Sequence, residues 1–261
     1  MKQLFYKYQG TGNDFVMIDN RDNLFDKHNT ALISHLCNRR TGVGADGLIL
    51  LESEPGYDFR MVYFNSDGNE STMCGNGGRC IVAFAKYLGI IEKNTEFIAI
   101  DGPHLARIDE SFVELKMQDV SAISSKANYH VLDTGSPHYV ALQPDLQAID
   151  MNLEGARIRY TPPFDTRGVN VNFAEKINED TFAIRTYERG VEGETLSCGT
   201  GATAVAIAMH HSNQTQSKSV VLETQGGILR VRFEPLSSSY SDVWLCGPTE
   251  QVFKGHIEWS N

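Results

Sequence analysis

Met73-Cys74-Gly75-Asn76-Gly77-Gly78-Arg79-Cys80 runs straight into Ile81-Val82-Ala83-Phe84-Ala85-Lys86-Tyr87-Leu88. The pattern predicts a cysteine and glycines at the mouth of a buried, apolar helix. A helix start carries unpaired N–H groups and positive dipole potential, which lower a thiol pKa and attract anions. A glycine-rich turn into a core helix explains the same residues without chemistry. A second copy decides the fold. Ser197-Cys198-Gly199-Thr200-Gly201-Ala202-Thr203 precedes Ala204-Val205-Ala206-Ile207-Ala208-Met209, with the two cysteines 124 residues apart.

Other segments repeat at nearly that distance. Thr11-Gly12-Asn13-Asp14-Phe15-Val16 matches Thr134-Gly135-Ser136-Pro137-His138-Tyr139-Val140, and the segment 59–66 matches 182–189. Gly42-Val43-Gly44 is read against Gly168-Val169-Asn170. A period this long is not that of a solenoid. We read two homologous halves, an α/β (α+β) fold in which each half curls a mixed or antiparallel sheet around one central helix. The expected domains are 1–118, completed by 250–261, and 119–249. Pseudo-twofold halves can bring two thiols and two helix starts to one interdomain cleft, a common place for small ligands.

The flanking pattern fills in the halves. Leu4–Tyr8 and Phe15–Ile18 read as strands about a turn, 30–40 as a short helix with Ala31, Leu32, Leu36 and Cys37 on one face, and 48–51 and 59–64 as strands. Residues 96–100 and 112–117 read as strands about a Gly-Pro turn.

Composition narrows the function. The chain has 261 residues, a net charge of −10 and no block of Lys or Arg, which argues against nucleic acid and anionic membrane as partners. No apolar run approaches a membrane span. Five cysteines, with no signal-like N-terminal pattern, point to free thiols in a reducing cytoplasm.

Several motifs are weighed and set aside. Gly42 to Gly47 fits G-x-G-x-x-G, but it follows a helix and precedes a strand, the reverse of a dinucleotide fold. Cys74 and Cys80 lack zinc-site spacing, and His210-His211 falls near a helix end, so no metal is expected. No lysine sits in a setting that marks a Schiff base, although such lysines leave little trace in sequence. Cys37, Cys80 and Cys246 read as core thiols. Asn65-Ser66 and Glu188-Arg189 are repeat equivalents at strand ends; an Asn and a Glu-Arg pair suit a zwitterion, and ordinary strand-end polarity suits them too.

With these residues assembled, the chain resembles the diaminopimelate epimerase family over essentially its whole length. The matching stretches are 12–16, 39–48, 64–68, 73–80, 187–190 and 194–202. Cys-Gly-x-Gly alone would not suffice, since proline racemase-like enzymes also carry it. The resemblance implies a cofactor-independent isomerase that interconverts LL- and meso-diaminopimelate for lysine and peptidoglycan synthesis, and a homodimer. It implies Cys74 and Cys198 as base and acid on opposite faces of the α-carbon. Asn13, Asn65, Asn170, Glu188 and Arg189 match substrate-binding positions, as do the backbone groups of Gly75, Asn76, Gly199 and Thr200. His138 matches a histidine near the site. Ser136 stands where the family usually has Asn, Gly47 where some members have Gln, and the 190–194 loop is one residue longer. Ser136 keeps open a related racemase acting on another amino acid, such as histidine or proline. A non-catalytic amino-acid-binding module is a further alternative. A thiol redox protein is disfavoured by the absence of C-x-x-C.

Overall fold

The computed structural model describes residues 2–258. The chain forms two compact units, one running to Leu115 and resuming at Pro248, the other spanning Lys116–Gly247.

In the first unit the strands are β1 (Lys2–Gly10), β2 (Asn13–Asp19), β3 (Gly47–Glu52), β4 (Arg60–Asn65), β5 (Glu70–Ser71), β6 (Asn94–Ala99), β7 (Gly102–Asp109) and β8 (Phe112–Lys116), and β18 (Glu250–Glu258) returns from the C-terminal end. The helices are α1 (Thr30–Cys37) and α2 (Gly75–Tyr87). β18, β1 and β2 pair antiparallel, β2 and β3 parallel, β3 and β4 antiparallel, β4 and β6 parallel, and β6–β7–β8 antiparallel. The second unit repeats this order. β9 (Ile123–Ser125), β10 (His130–Asp133) and β11 (Pro137–Leu142) are antiparallel, and α3 (Met151–Arg159) crosses to β12 (Asn170–Lys176), parallel to β11. β13 (Thr181–Glu188) is antiparallel to β12 and to the short β14 (Gly193–Thr195), and parallel to β15 (Ser219–Thr224). β16 (Gly227–Pro235) and β17 (Tyr240–Pro248) complete the sheet, and α4 (Gly199–His211) is the central helix.

The central helices form where the apolar runs predict them. α2 buries Cys80, Ile81, Val82, Phe84 and Ala85, and packs against β1, β2, β3, β4 and β7. Tyr6 and Tyr8 of β1 meet the Phe84 ring at centroid distances of 4.8 and 5.7 Å. Ile81, Val82 and Phe84 each contribute about 1.5–3 kcal/mol on burial. α4 is buried from Gly201 through Met209 and packs against six strands of its own unit. The mixed sheet wrapped on one helix is therefore the architecture of each half.

Both helices end alike. Gly89 takes φ +72° after α2 and Asn213 φ +58° after α4, again 124 residues apart, so the chain turns off the helix in the left-handed region.

Four local readings need correction. α1 stops at Cys37, not at residue 40, because the Asn38 side chain accepts from the Arg40 and Thr41 N–H groups at 2.9 and 3.0 Å and takes over the turn. Its buried face is Ile33, Leu36 and Cys37, with Ala31 exposed. The Gly-Pro pair opens a strand, β7, in a three-stranded meander; Pro103 lies in register with Ile98. β7 escaped notice because it buries only Ala106 and Ile108. α3 carries no apolar run and buries only Met151, Gly155 and Ile158.

The fourth correction concerns register. β2–β3 pairing sets Phe15 opposite Gly47, and β11–β12 sets His138 opposite Asn170. Asn170 thus corresponds to Gly47, not to Gly44. Gly42 and Gly44 serve α1 instead. A Cβ on Gly42 would fall 2.0 Å from the His35 carbonyl oxygen, and Gly44 holds φ +80° against the Arg39 backbone. The N–H groups of Val43, Gly44 and Ala45 satisfy the last carbonyls of α1. The G-x-G-x-x-G pattern is a helix C-terminal wrap.

Candidate active site

In the first unit Cys74 is the N-cap of α2, with extended backbone (φ −100°, ψ 141°), and its Sγ accepts from the Gly77 N–H at 3.2 Å. Gly75 and Asn76 are the first two helical residues, the positions whose N–H groups a helix leaves for other partners. The Cys74 thiol lies 3.8 Å from Asn13 Oδ1, and the Asn76 Nδ2 donates to the same oxygen at 3.2 Å. Asn13 cannot turn over, because its Nδ2 donates to Asp46 Oδ2 at 2.7 Å. Asn76 is held in turn by Arg79, whose Nη1 donates to its Oδ1 at 3.2 Å.

Arg79 is fully buried and also donates to the Gly75 carbonyl at 3.3 Å and to Thr11 Oγ1 at 3.2 Å. It belongs to the quoted motif, yet the motif alone assigns it no task; its position one turn inside α2 was the available signal. Asn65 ends β4 opposite Gly47 and is exposed. Among the described residues, no hydrogen bond ties its side chain to Asn13 or Cys74.

In the second unit Cys198 is the N-cap of α4, also extended (φ −118°, ψ 114°), and is buried. Its Sγ lies 3.5 Å from Thr200 Oγ1, and Thr200 Oγ1 lies 3.4 Å from Ser136 Oγ. Ser136 Oγ is 3.0 Å from His138 Nε2 and accepts from Asn170 Nδ2 at 3.0 Å. Asn170 is oriented by the Arg189 N–H, which donates to its Oδ1 at 2.8 Å. Ser136, His138, Asn170 and Thr200 are thus one connected group beside Cys198.

Glu188 and Arg189, read as a pair for opposite charges, have separate partners. Glu188 Oε1 accepts from Thr195 Oγ1 at 2.5 Å, and Arg189 Nη1 donates to the Arg167 carbonyl at 3.0 Å. The loop after them is pinned by Glu192, whose Oε2 accepts from the Tyr160 and Tyr187 hydroxyls at 2.9 and 3.1 Å.

Asn172 escaped the sequence reading. Fully buried, it contacts His138 Nδ1 at 3.0 Å, and Thr186 donates to its Oδ1 at 2.9 Å. Its signal was a polar residue in an otherwise apolar strand stretch. Burial, with the positive charge of Arg189, pushes the His138 pKa down to about 3, so the ring is neutral. Cys37 and Cys80 are pushed up to about 12 by burial and are inert core thiols, as their apolar settings suggest. Cys246 is buried in β17. Among the described residues, no group of three or more His, Cys, Asp or Glu is placed to hold a metal ion, and no helix is long and apolar enough to cross a membrane.

Each unit therefore presents a cysteine at the start of a 13-residue buried helix, with polar side chains locked around it. Solved structures share the fold that holds them. The solved structure of a Bacillus anthracis phenazine biosynthesis protein of the PhzF family superposes with TM-score 0.77 at 13% identity, covering 99% of this chain and 100% of that one. A probable proline racemase from Agrobacterium radiobacter superposes with TM-score 0.68 at 14% identity, covering 99% and 93%. These likenesses are of fold. The diaminopimelate epimerase of Flavobacterium psychrophilum is 56% identical over 97% of this chain and 99% of its own length. That of Chlorobaculum tepidum is 41% identical over 95% and 98%. The family described as "Diaminopimelate epimerase" matches residues 5–110 and 130–240, and the chain belongs to that family.

Proposed function

We propose that this protein is an isomerase that epimerises LL-2,6-diaminopimelate to meso-diaminopimelate, without a cofactor, in lysine and peptidoglycan synthesis. The observation that carries this reading is the paired construction, a cysteine capping each central helix, in a chain 56% identical to a diaminopimelate epimerase along nearly its full length.

An amino-acid α-proton is very weakly acidic, and inversion needs removal on one face and delivery on the other. One thiolate and one thiol do this without a single base swinging across, because thiol pKa values lie near neutrality and are tunable. Cys74 and Cys198 take these roles, each meeting one face of the α-carbon. The N–H groups of Gly75 and Asn76, and of Gly199 and Thr200, bind the α-carboxylate as it gains enediolate charge. Asn13, Asn65, Asn170, Glu188 and Arg189 bind the remaining polar groups of the substrate, with Ser136 and His138 in support. The protein acts in the cytoplasm as a homodimer, which sedimentation velocity tests.

The deciding experiment incubates purified protein with LL-diaminopimelate in D2O and follows α-deuterium uptake and meso product. Parallel incubations with L-histidine and L-proline test the racemase alternatives. Exchange confined to diaminopimelate supports the proposal. Exchange only with another amino acid, or binding of diaminopimelate without exchange, overturns it.

A further inference from the structure

The shortest hydrogen bonds behind Cys198 set a direction that can be read from the buried end outward, the longer 3.5 Å approach of Asn170 Nδ2 to His138 Nε2 and the 3.4 Å approach of Asn172 Nδ2 to the Asn170 carbonyl being secondary to it. Asn172 Nδ2 donates to the Tyr139 carbonyl at 2.9 Å, and a carbonyl can only accept. The amide of Asn172 therefore cannot be flipped, and its other N–H points at His138 Nδ1, 3.0 Å away. The Thr186 hydroxyl, donating to Asn172 Oδ1, agrees with this orientation. His138 Nδ1 must accept, so the neutral ring carries its hydrogen on Nε2. Nε2–H then donates to Ser136 Oγ at 3.0 Å.

Ser136 Oγ receives a second bond from Asn170 Nδ2, whose orientation the Arg189 N–H has set. With both of its neighbours on that side acting as donors, the Ser136 hydroxyl hydrogen has Thr200 Oγ1 as its acceptor. With Thr200 Oγ1 accepting from Ser136, its own hydrogen is left for Cys198 Sγ, 3.5 Å away.

We propose that Ser136 and Thr200 are positioning residues for Cys198: a one-way chain of hydrogen bonds, set by buried Asn172 and His138, ends with the Thr200 hydroxyl donating to the Cys198 sulfur and favours its thiolate. A donor aimed at sulfur stabilises the charged form over the neutral thiol. The importance of Cys198 to catalysis rests on the function proposed above; the chain of bonds does not.

The matching place in the first unit is built differently. Asn13 corresponds to Ser136 and Asn76 to Thr200. Because Asp46 holds the Asn13 nitrogen, Asn13 turns an acceptor, Oδ1, toward Cys74 at 3.8 Å. Ser136, the residue that departs from the family pattern, thus supplies an O–H where an Asn held in the same way would present a carbonyl oxygen.

The test is the pH dependence of Cys198 alkylation by iodoacetamide, read by mass spectrometry on the full-length Cys74→Ala protein without substrate. Asp133 at the end of β10, His138 on β11, Glu188 at the end of β13 and Arg189 just after it are titratable or charged groups on the strands around this network. They are retained in every variant. Thr200→Val is expected to raise the half-maximal pH by about one pH unit, the size of one hydrogen bond to a charged group. Thr200→Ser restores the original midpoint, and Ser136→Ala shifts it in the same direction as Thr200→Val by less. Cys37, Cys80 and Cys246 are buried and report folding in the same digest. An unchanged midpoint in Thr200→Val with those three protected overturns the proposal, as does a Thr200→Ser protein that behaves like Thr200→Val. Should wild-type protein fail to exchange deuterium into diaminopimelate while these shifts appear, the functional reading fails and the relay stands.

Discussion

Arg39 grips Asp14 with both terminal guanidinium nitrogens, Nη1 at 3.0 Å and Nη2 at 2.7 Å, and the same Nη2 reaches Asp46 Oδ1 at 2.7 Å. Lys7 joins Asp14 from β1 at 2.7 Å. The other oxygen of Asp46 holds the Asn13 amide nitrogen. A charge cluster at the end of α1 thus decides which atom Asn13 shows to Cys74.

Arg39→Ala should therefore cut kcat/KM, by about tenfold, through loss of charge-assisted hydrogen bonds that orient Asn13. Arg39→Lys should recover little, since a single ammonium cannot reproduce the two-toothed grip. Stability should fall by no more than about 1 kcal/mol, because Arg39 is largely exposed. Steady-state kinetics beside urea unfolding checks this; an activity loss matched by equal unfolding would contradict it.

Stability should decline on acidification in two windows. Burial alone would raise the Asp14 pKa, but hydrogen bonds from Arg39 and Lys7 bring it down to about 2. A depressed carboxyl stabilises above its unfolded value of about 4, and that contribution disappears as pH falls toward the folded value. His138, held neutral with its pKa near 3, binds its proton less readily folded than unfolded. Its penalty grows as pH falls from about 6.5 toward 3. Urea unfolding of wild type and His138→Gln across pH 7 to 4 should show the upper window shrinking in the variant. Parallel curves would count against a neutral, buried His138.

Gly201→Ala should be far more harmful than Gly77→Ala, although both are early helical positions where Ala is ordinarily favoured. A Cβ on Gly201 would stand 2.5 Å from Asn172 Oδ1, an atom locked in the buried network. On Gly77 it would stand 3.0 Å from Ile49 Cδ1, the end of a side chain that can shift. Gly201→Ala should cost about 1–3 kcal/mol, by disturbing a buried hydrogen-bonded group; Gly77→Ala should stay within about 1 kcal/mol. Thermal melting of the two proteins compares them directly.

Cys74→Ala and Cys198→Ala should each lower the epimerisation rate by about 10²–10⁴, the usual contribution of a positioned acid or base. Substrate affinity, measured by calorimetry, should change little. Near wild-type turnover in either variant would remove that thiol from the mechanism.

The path from sequence to these residues was uneven, for reasons visible at particular positions. α2 and α4 were legible because ten of the thirteen positions in each are buried, which leaves an apolar run behind Cys-Gly-x-Gly. β7 and α3 were not, because two buried residues in the one and three in the other, one of them a glycine, are too few to stand out. The repeat was legible in Cys74 and Cys198 but misaligned at Asn170, where loops of different length precede β3 and β12 and only strand register identifies Gly47 as its counterpart.

What the sequence determined by itself is the duplicated plan: two apolar helices, each opened by a cysteine and small residues, in strands that repeat in order. Local composition suffices there, since helix period, glycine turns and apolar runs act over a few residues. Only the tertiary structure decided what each cysteine faces. Asn13 shows Cys74 an oxygen because Asp46, 33 residues away, takes its nitrogen. Thr200 turns a hydroxyl to Cys198 because Asn172, on another strand, settles the tautomer of His138. The direction of a hydrogen bond depends on every partner the group has, and those partners are assembled by the fold.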